Sequence, residues 1–274
     1  MKLRILTAVI GIPILLVMLL WVPLWVCGIA VGLLCALACY ELMHMALGKT
    51  HRRIYFSAMI CAFILPVISS FEPHLAWSVG VLLLLFFILS IEQMATFHTQ
   101  QRITLEMVAV SMMAGGLLPL MLSTLLRIGQ IPIVGRVRML VPFIIAFSSD
   151  SGAFFTGRAL GKHKLAPLIS PKKTLEGALG GVLAGALMAL LYGLLLQAVG
   201  FGVDLLALSG FGVVGAVVSQ LGDLTFSAFK RQYDIKDYGN ILPGHGGVLD
   251  RFDSLYYLTP LAEVWMFTFP VIWP

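Results

Sequence analysis

Charge is what this sequence has least of. Only 11% of its 274 residues are Asp, Glu, Lys or Arg, against 59% hydrophobic, and so little charge excludes an ordinary water-soluble domain. Cysteine is scarce too. Cys27, Cys35, Cys39 and Cys61 lie inside apolar runs without metal-ligand spacing, so they read as small buried hydrophobes and say nothing decisive about redox compartment. No internal repeat and no Pro/Gly/Ser linker interrupts the chain, which therefore reads as a single integral domain over 1–274. A net charge of +5 raises the question of nucleic acid. The cations, however, sit in short loops beside apolar segments, where they set membrane orientation, and a nucleic-acid partner is excluded.

What is present is a series of apolar runs long enough to cross a bilayer. About nine spans are expected, at roughly 5–26, 28–47, 55–70, 76–91, 105–126, 139–156, 175–199, 209–229 and 255–272, making an all-α polytopic membrane protein. The first follows Met1-Lys2-Leu3-Arg4 without a cleavage signal and is read as retained. Lys2, Arg4, Lys49, Arg52, Arg53, Arg102 and the clusters 158–173 and 230–251 share one side. Their excess puts the N-terminus in the cytoplasm and, with an odd count, the C-terminus outside. Arg127, Arg136 and Arg138 run against this and mark either a re-entrant or interfacial segment or a miscount there.

The half at 1–138 is expected to be mainly scaffold and 139–274 to carry the chemistry. Glu41 and His44, at i, i+3, read as an interfacial pair snorkelling towards water. Trp21, Trp25, Tyr55, Trp77 and Trp273 read as interface anchors, and His51, His74 and His98 as solvated loop residues.

Two polar regions stand out. In 148–177, SSDSGAFFTGRALGKHKLAPLISPKKTLEG, Asp150 lies inside a span among serines. Ser170-Pro171 reads as an N-cap and first helical residue, which would put Lys172, Lys173 and Thr174 in a first turn suited to an anion. The second region runs from Gly222 to Ser254, GDLTFSAFKRQYDIKDYGNILPGHGGVLDRFDS. Asp223, Ser227 and Lys230 or Arg231 share a helix face, and Asp250 and Asp253 are i, i+3 neighbours if helical. Asp223 stands in an otherwise apolar run, where an ionisable group points to function. Carboxylates, cations and glycines in such proximity are what handling a phosphate ester with a divalent metal requires. Both regions fall on the cytoplasmic side, so the residues alone point to a polar metal and phosphate site at that face.

The run Ser227-x2-Lys230-Arg231-x4-Lys236-Asp237-x-Gly239-x3-Pro243-x-His245-Gly246-Gly247-x2-Asp250-Arg251-x-Asp253 closely resembles the motif of the phosphatidate cytidylyltransferase (CDP-diacylglycerol synthase) family. It covers about a tenth of the chain, and the 148–177 region is similar to the same family's Ser-Pro-x-Lys-Thr-x-Glu-Gly run. The resemblance implies a transferase that makes CDP-diacylglycerol and pyrophosphate from CTP and phosphatidate with Mg²⁺, a second metal or a monovalent cation being left open. It implies Asp223 and Asp250 as metal ligands and Asp223, Asp250, Lys230, Arg231 and His245 as catalytic. Lys172, Lys173, Thr174, Ser227, Lys236, Gly246, Gly247, Arg251 and Asp253 would bind substrate phosphates, with Asp150 and Asp237 as further candidates. Membrane lipids are the expected surroundings, and homodimerisation is left open.

Two other readings compete. A CDP-alcohol phosphatidyltransferase needs an Asp-Gly-x2-Ala-Arg start that this chain lacks. A transporter of a phosphorylated solute would place ionisable groups near the midplane, often in repeat-related positions; here they gather at one face.

Overall fold

In lipid a chain satisfies its backbone groups internally, and long apolar runs do so as helices. The computed structural model describes residues 11–274 apart from 12, 49–50, 72–74 and 240–245, and seven of its helices are long and apolar enough to cross a membrane. Each agrees with an expected span to within a few residues. The first expected span, 5–26, lies partly outside the described residues; 13–20 is helical and the chain turns at 21–23. The last expected span is a helix, but its bounds are Leu249–Thr268 and it carries Asp250, Arg251, Asp253 and Glu263, so it is not among the seven.

The chain forms two compact units, Met1–Gln130 with Asp237–Arg251, and Ile131–Lys236 with Phe252–Pro274. In the first, α1 (Leu24–Leu47), α2 (Arg52–Phe71) and α3 (Leu75–Thr96) are followed by α4 (Leu105–Met112), a π-helical turn (Met113–Leu117) and α5 (Leu118–Gly129). Pro23 precedes α1, and Gly48 closes it at φ 66°, a conformation open to glycine, with its N–H on the His44 carbonyl. Thr104 caps α4 by accepting from the Met107 N–H at 3.3 Å. Gly28 and Gly32 bring α1 onto α2: a Cβ at Gly32 would stand 2.6 Å from the Phe63 carbonyl oxygen, the close approach that small residues allow between membrane helices. The π-turn presses Gly115 against Ala58 in the same way. All four cysteines are buried and outside any disulfide, as small hydrophobes. Tyr55 departs from the interfacial expectation: it is buried and donates its hydroxyl to the Met43 carbonyl at 2.8 Å, because a phenol buried inside a bundle needs an acceptor.

The second unit holds α6 (Gly135–Leu160), the antiparallel hairpin β1 (Lys164–Ala166) and β2 (Ser170–Thr174), α7 (Leu175–Ala198), β3 (Gly202–Val203), α8 (Leu205–Gln232), most of α9 (Leu249–Thr268) and β4 (Ile272–Trp273), which pairs with β3. Along α7, Gly177, Gly181 and Gly185 are buried at i, i+4, i+8. A Cβ at Gly177 would lie 2.8 Å from the Ala153 carbonyl on α6, and one at Gly185 2.8 Å from Ala216 on α8. Glycine therefore sets how tightly α6, α7 and α8 pack.

Two expectations change. Arg127 sits in the last turn of α5, where it complements the helix dipole, and Arg136 and Arg138 lie in the first turns of α6. Only 130–134 joins the two helices, so the segment is a short connection. Buried Arg138 donates from Nε to the Ile272 carbonyl at 3.1 Å, which explains a cation there without invoking orientation. The second change is at 170–174, which is strand where a helix start was expected. Thr174, extended at φ −124° and ψ 155°, is the cap that accepts from the Gly177 N–H at 3.1 Å. Ser170-Pro171 has the right cap chemistry, but pairing with β1 and a β-branched Thr at the joint move the helix start to Leu175.

Candidate active site

The polar residues of the second unit converge because its helices pack so closely. Asp150, Gly157 and Arg158 on α6, Lys172, Lys173 and Thr174 on β2, and Gln220 and Asp223 on α8 line a cavity of about 570 Å³, with Phe154 and Leu165 as apolar walls. That volume lies within the usual range for small-molecule sites. The hairpin delivers Lys172 and Lys173 to it, and Thr174 ties the hairpin to α7. Glu176 steadies the approach by accepting from the Lys162 and His163 N–H groups at 3.1 and 3.2 Å and pairing with His163 Nδ1 at 2.6 Å.

Lys173 Nζ lies 2.5 Å from Asp223 Oδ2, and the Ser227 hydroxyl donates to Asp223 Oδ1 at 3.3 Å, so Asp223 and Ser227 do share a face of α8. Lys230 is buried on the same helix. Arg231 is exposed and is engaged with backbone, donating to the Ile169 and Ile235 carbonyls at 3.2 and 2.9 Å. Gln220, which the sequence did not single out, bridges α6 and α7 by donating to Ser149 Oγ and to the Ala178 carbonyl.

Asp253 belongs to the same unit and lies outside the seven apolar spans. Desolvation first, then the nearby Asp223 carboxylate, push its carboxyl up to about 7, with Asp150 adding to the shift and the Ser254 N–H and Lys230 opposing it. Among the described residues no group of three or more His, Cys, Asp or Glu side chains is placed so that it could hold a metal ion. Mg²⁺ does not require one: one or two carboxylates, substrate phosphates and water are its usual ligands.

The remaining expected residues fall elsewhere. Lys236 is exposed at the end of the second unit's first segment. His245 lies outside the described residues. Gly246, Gly247, Asp250 and Arg251 belong to the first unit. There Asp250 Oδ2 accepts from the Tyr238 and Gly247 N–H groups at 2.9 and 3.1 Å, and Gly246 takes φ 81°. Asp250 lies in the first turn of α9 and Asp253 follows on the same helix, so the i, i+3 spacing is helical as expected. Asp237 is exposed.

Glu41 is the residue the sequence reading discounted. It is buried, at 2% exposure, and accepts from the Val248 and Leu249 N–H groups, both at 2.9 Å. His44, its expected companion, stacks on Tyr40 instead. An ionisable group inside an apolar run was the available signal; its donors, 207 and 208 residues away, left no pattern near it.

Comparison with known proteins gives the family. The profile of the cytidylyltransferase family matches residues 2–269. The chain is 44% identical over 126 residues to a protein of Staphylococcus aureus (strain COL) named phosphatidate cytidylyltransferase, covering 46% of this chain and 47% of the relative. It is 39% identical over 181 residues to the protein of that name in Bacillus subtilis (strain 168), covering 66% of this chain and 63% of the relative. The matched stretch thus spans about half to just under two thirds of these relatives' length.

Proposed function

This chain belongs to the cytidylyltransferase family, and from that premise we propose that it transfers a cytidylyl group from CTP to phosphatidate, giving CDP-diacylglycerol and pyrophosphate. The observation that carries the proposal is the cavity in which Arg158, Lys172 and Lys173 stand with Asp150 and Asp223, cations for a polyphosphate beside carboxylates for its counter-ion. An oxygen of the lipid phosphate attacks the α-phosphorus of CTP. One P–O bond forms there as the bond to the bridging oxygen of pyrophosphate breaks. A phosphate monoester is largely dianionic at neutral pH, so no strong general base is required. Positioning and charge neutralisation then carry most of the rate.

Lys172, Lys173 and Arg158 hold and neutralise the triphosphate oxygens. Lys173 is already oriented by Asp223 at 2.5 Å, so its ammonium meets the substrate preorganised. Phe154 and Leu165 form the apolar part of the cavity wall. Asp223, with Asp150 and Asp253 near it, would hold Mg²⁺; when bound, the ion supplies charge neutralisation on the phosphate oxygens. The motif assigns Asp250 the same role, and we retain that as a proposal. Lys230 and Arg231 are retained for the lipid phosphate. We also hold to nine passes, a cytoplasmic N-terminus, an outward C-terminus and a cavity open to the cytoplasm, on the Lys/Arg imbalance of the loops.

The test is pyrophosphate release by the purified protein in mixed micelles. Release that requires CTP, Mg²⁺ and phosphatidate together is expected. Release without phosphatidate, or none from folded protein, would refute the assignment.

A further inference from the structure

We propose that Glu41 is a positioning residue for this reaction, a cap supplied from α1 that fixes the turn at 246–249 and with it the Asp250 carboxylate. The inference rests on the proposed cytidylyl transfer only for its kinetic consequence; the clamp itself is geometric. Helix α9 opens at Leu249, and the first N–H groups of a helix have no acceptor within it. Side chains just before a helix usually supply that acceptor. Here the two carboxylate oxygens of Glu41 do so, Oε1 to the Val248 N–H and Oε2 to the Leu249 N–H. The next N–H upstream, that of Gly247, goes to Asp250 Oδ2, which also takes the Tyr238 N–H. Three successive backbone donors are thus held by two carboxylates, and the second of these is Asp250 itself.

The glycines around Glu41 make the fit close. A Cβ at Gly247 would stand 2.6 Å from Glu41 Oε2, and one at Gly239 2.7 Å from Oε1. Two glycines of the 227–253 motif are therefore needed for the backbone to reach this carboxylate. Among the described residues Glu41 has no ion-pair partner. Its charge is met by N–H groups at the positive end of a helix. A carboxylate buried in a membrane segment is costly to keep. Its bonds go to the one segment that carries both the left-handed Gly246 and Asp250, so its loss should be felt there first.

The experiment compares full-length wild type with Glu41→Gln, both purified in detergent. The amide keeps one acceptor and turns a donor towards the other N–H. Peptides covering 246–250 should exchange amide hydrogen about tenfold faster in the variant, the loss of roughly one hydrogen bond, while those from α7 stay unchanged. The Mg²⁺ concentration for half-maximal turnover should rise about fivefold or more, on the same loss of preorganisation; a merely less stable protein would lose amplitude without that shift. Unchanged exchange at 246–250, or an increase spread equally over α7, overturns the clamp. If wild type shows no turnover, the reaction assignment fails while the exchange comparison still decides the clamp. If Glu41→Gln does not fold, Gly239→Ala, which crowds the carboxylate from the other side, is expected to give the same local acceleration, and its absence overturns the proposal.

Discussion

The Glu41 site of the first unit and the cavity of the second use charge in opposite ways. In the second, Asp150, Arg158, Lys172, Lys173 and Asp223 point into a cavity, and the pair Lys173–Asp223 has side chains about a quarter exposed. In the first, Glu41 is buried and holds backbone N–H groups. A charge lining a cavity remains available to a ligand; the Glu41 charge, with both oxygens on backbone N–H groups, is consumed by the fold. A polar residue in a membrane helix can thus serve chemistry directly or fix the part that does, and its partners tell which.

The strongest way to break this contrast is at the carboxylates. Asp223→Asn is expected to lower turnover at least about a hundredfold without loss of folded protein, as for removal of a principal electrostatic group. Asp250→Asn sharpens it, because an Asn oxygen can still accept from Tyr238 and Gly247. A similar loss there marks Asp250 as more than a clamp, and near-normal pyrophosphate release marks it as a clamp only. Lys173→Met comes next. It removes the cation preorganised by Asp223 and should cost about 10- to 100-fold, a scale set by charge-assisted contacts to phosphate, with a raised KM for CTP.

Gly180→Ala tests packing rather than chemistry. The added methyl meets the Thr156 side chain on α6, so thermal unfolding in detergent should show a loss of about 1–3 kcal/mol, as for overpacked cores. The smallest effect is expected from Glu92→Gln in the first unit. Its contact with Arg53 is 3.7 Å long and the Arg53 side chain is 84% exposed, so turnover should be unchanged and stability should fall by less than about 0.5 kcal/mol.

Hydrophobic length made the long helices legible, since an apolar run of about twenty residues has few other outcomes in lipid. The shared face of Asp223 and Ser227 was legible from 3.6-residue periodicity. The hairpin was not. Five residues, Ser170 to Thr174, contain two acceptable helix caps, and the choice between them lay with a strand partner four to ten residues upstream. Arg138 misled for a related reason. A loop charge and a buried cation on the Ile272 carbonyl look alike in sequence, and the acceptor lies 134 residues away. Glu41 was visible as a charge in an apolar run, but its proximity to a helix end favoured water as its partner. Local pattern found what local physics decides and failed where a distant backbone group supplied the answer.

The distance between Glu41 and its donors also sets an order of events while the chain is being made. At about 5–20 residues per second, the 207 residues that separate Glu41 from Val248 take roughly 10–40 s to synthesise. Throughout that interval α1 can already occupy the membrane, and its carboxylate must be tolerated by water at the boundary, by lipid headgroups or by the insertion machinery. The first unit is therefore completed late, by a segment arriving after most of the second has emerged. A newly made chain interrupted before Val248 would leave the Glu41 carboxylate without either of its backbone donors.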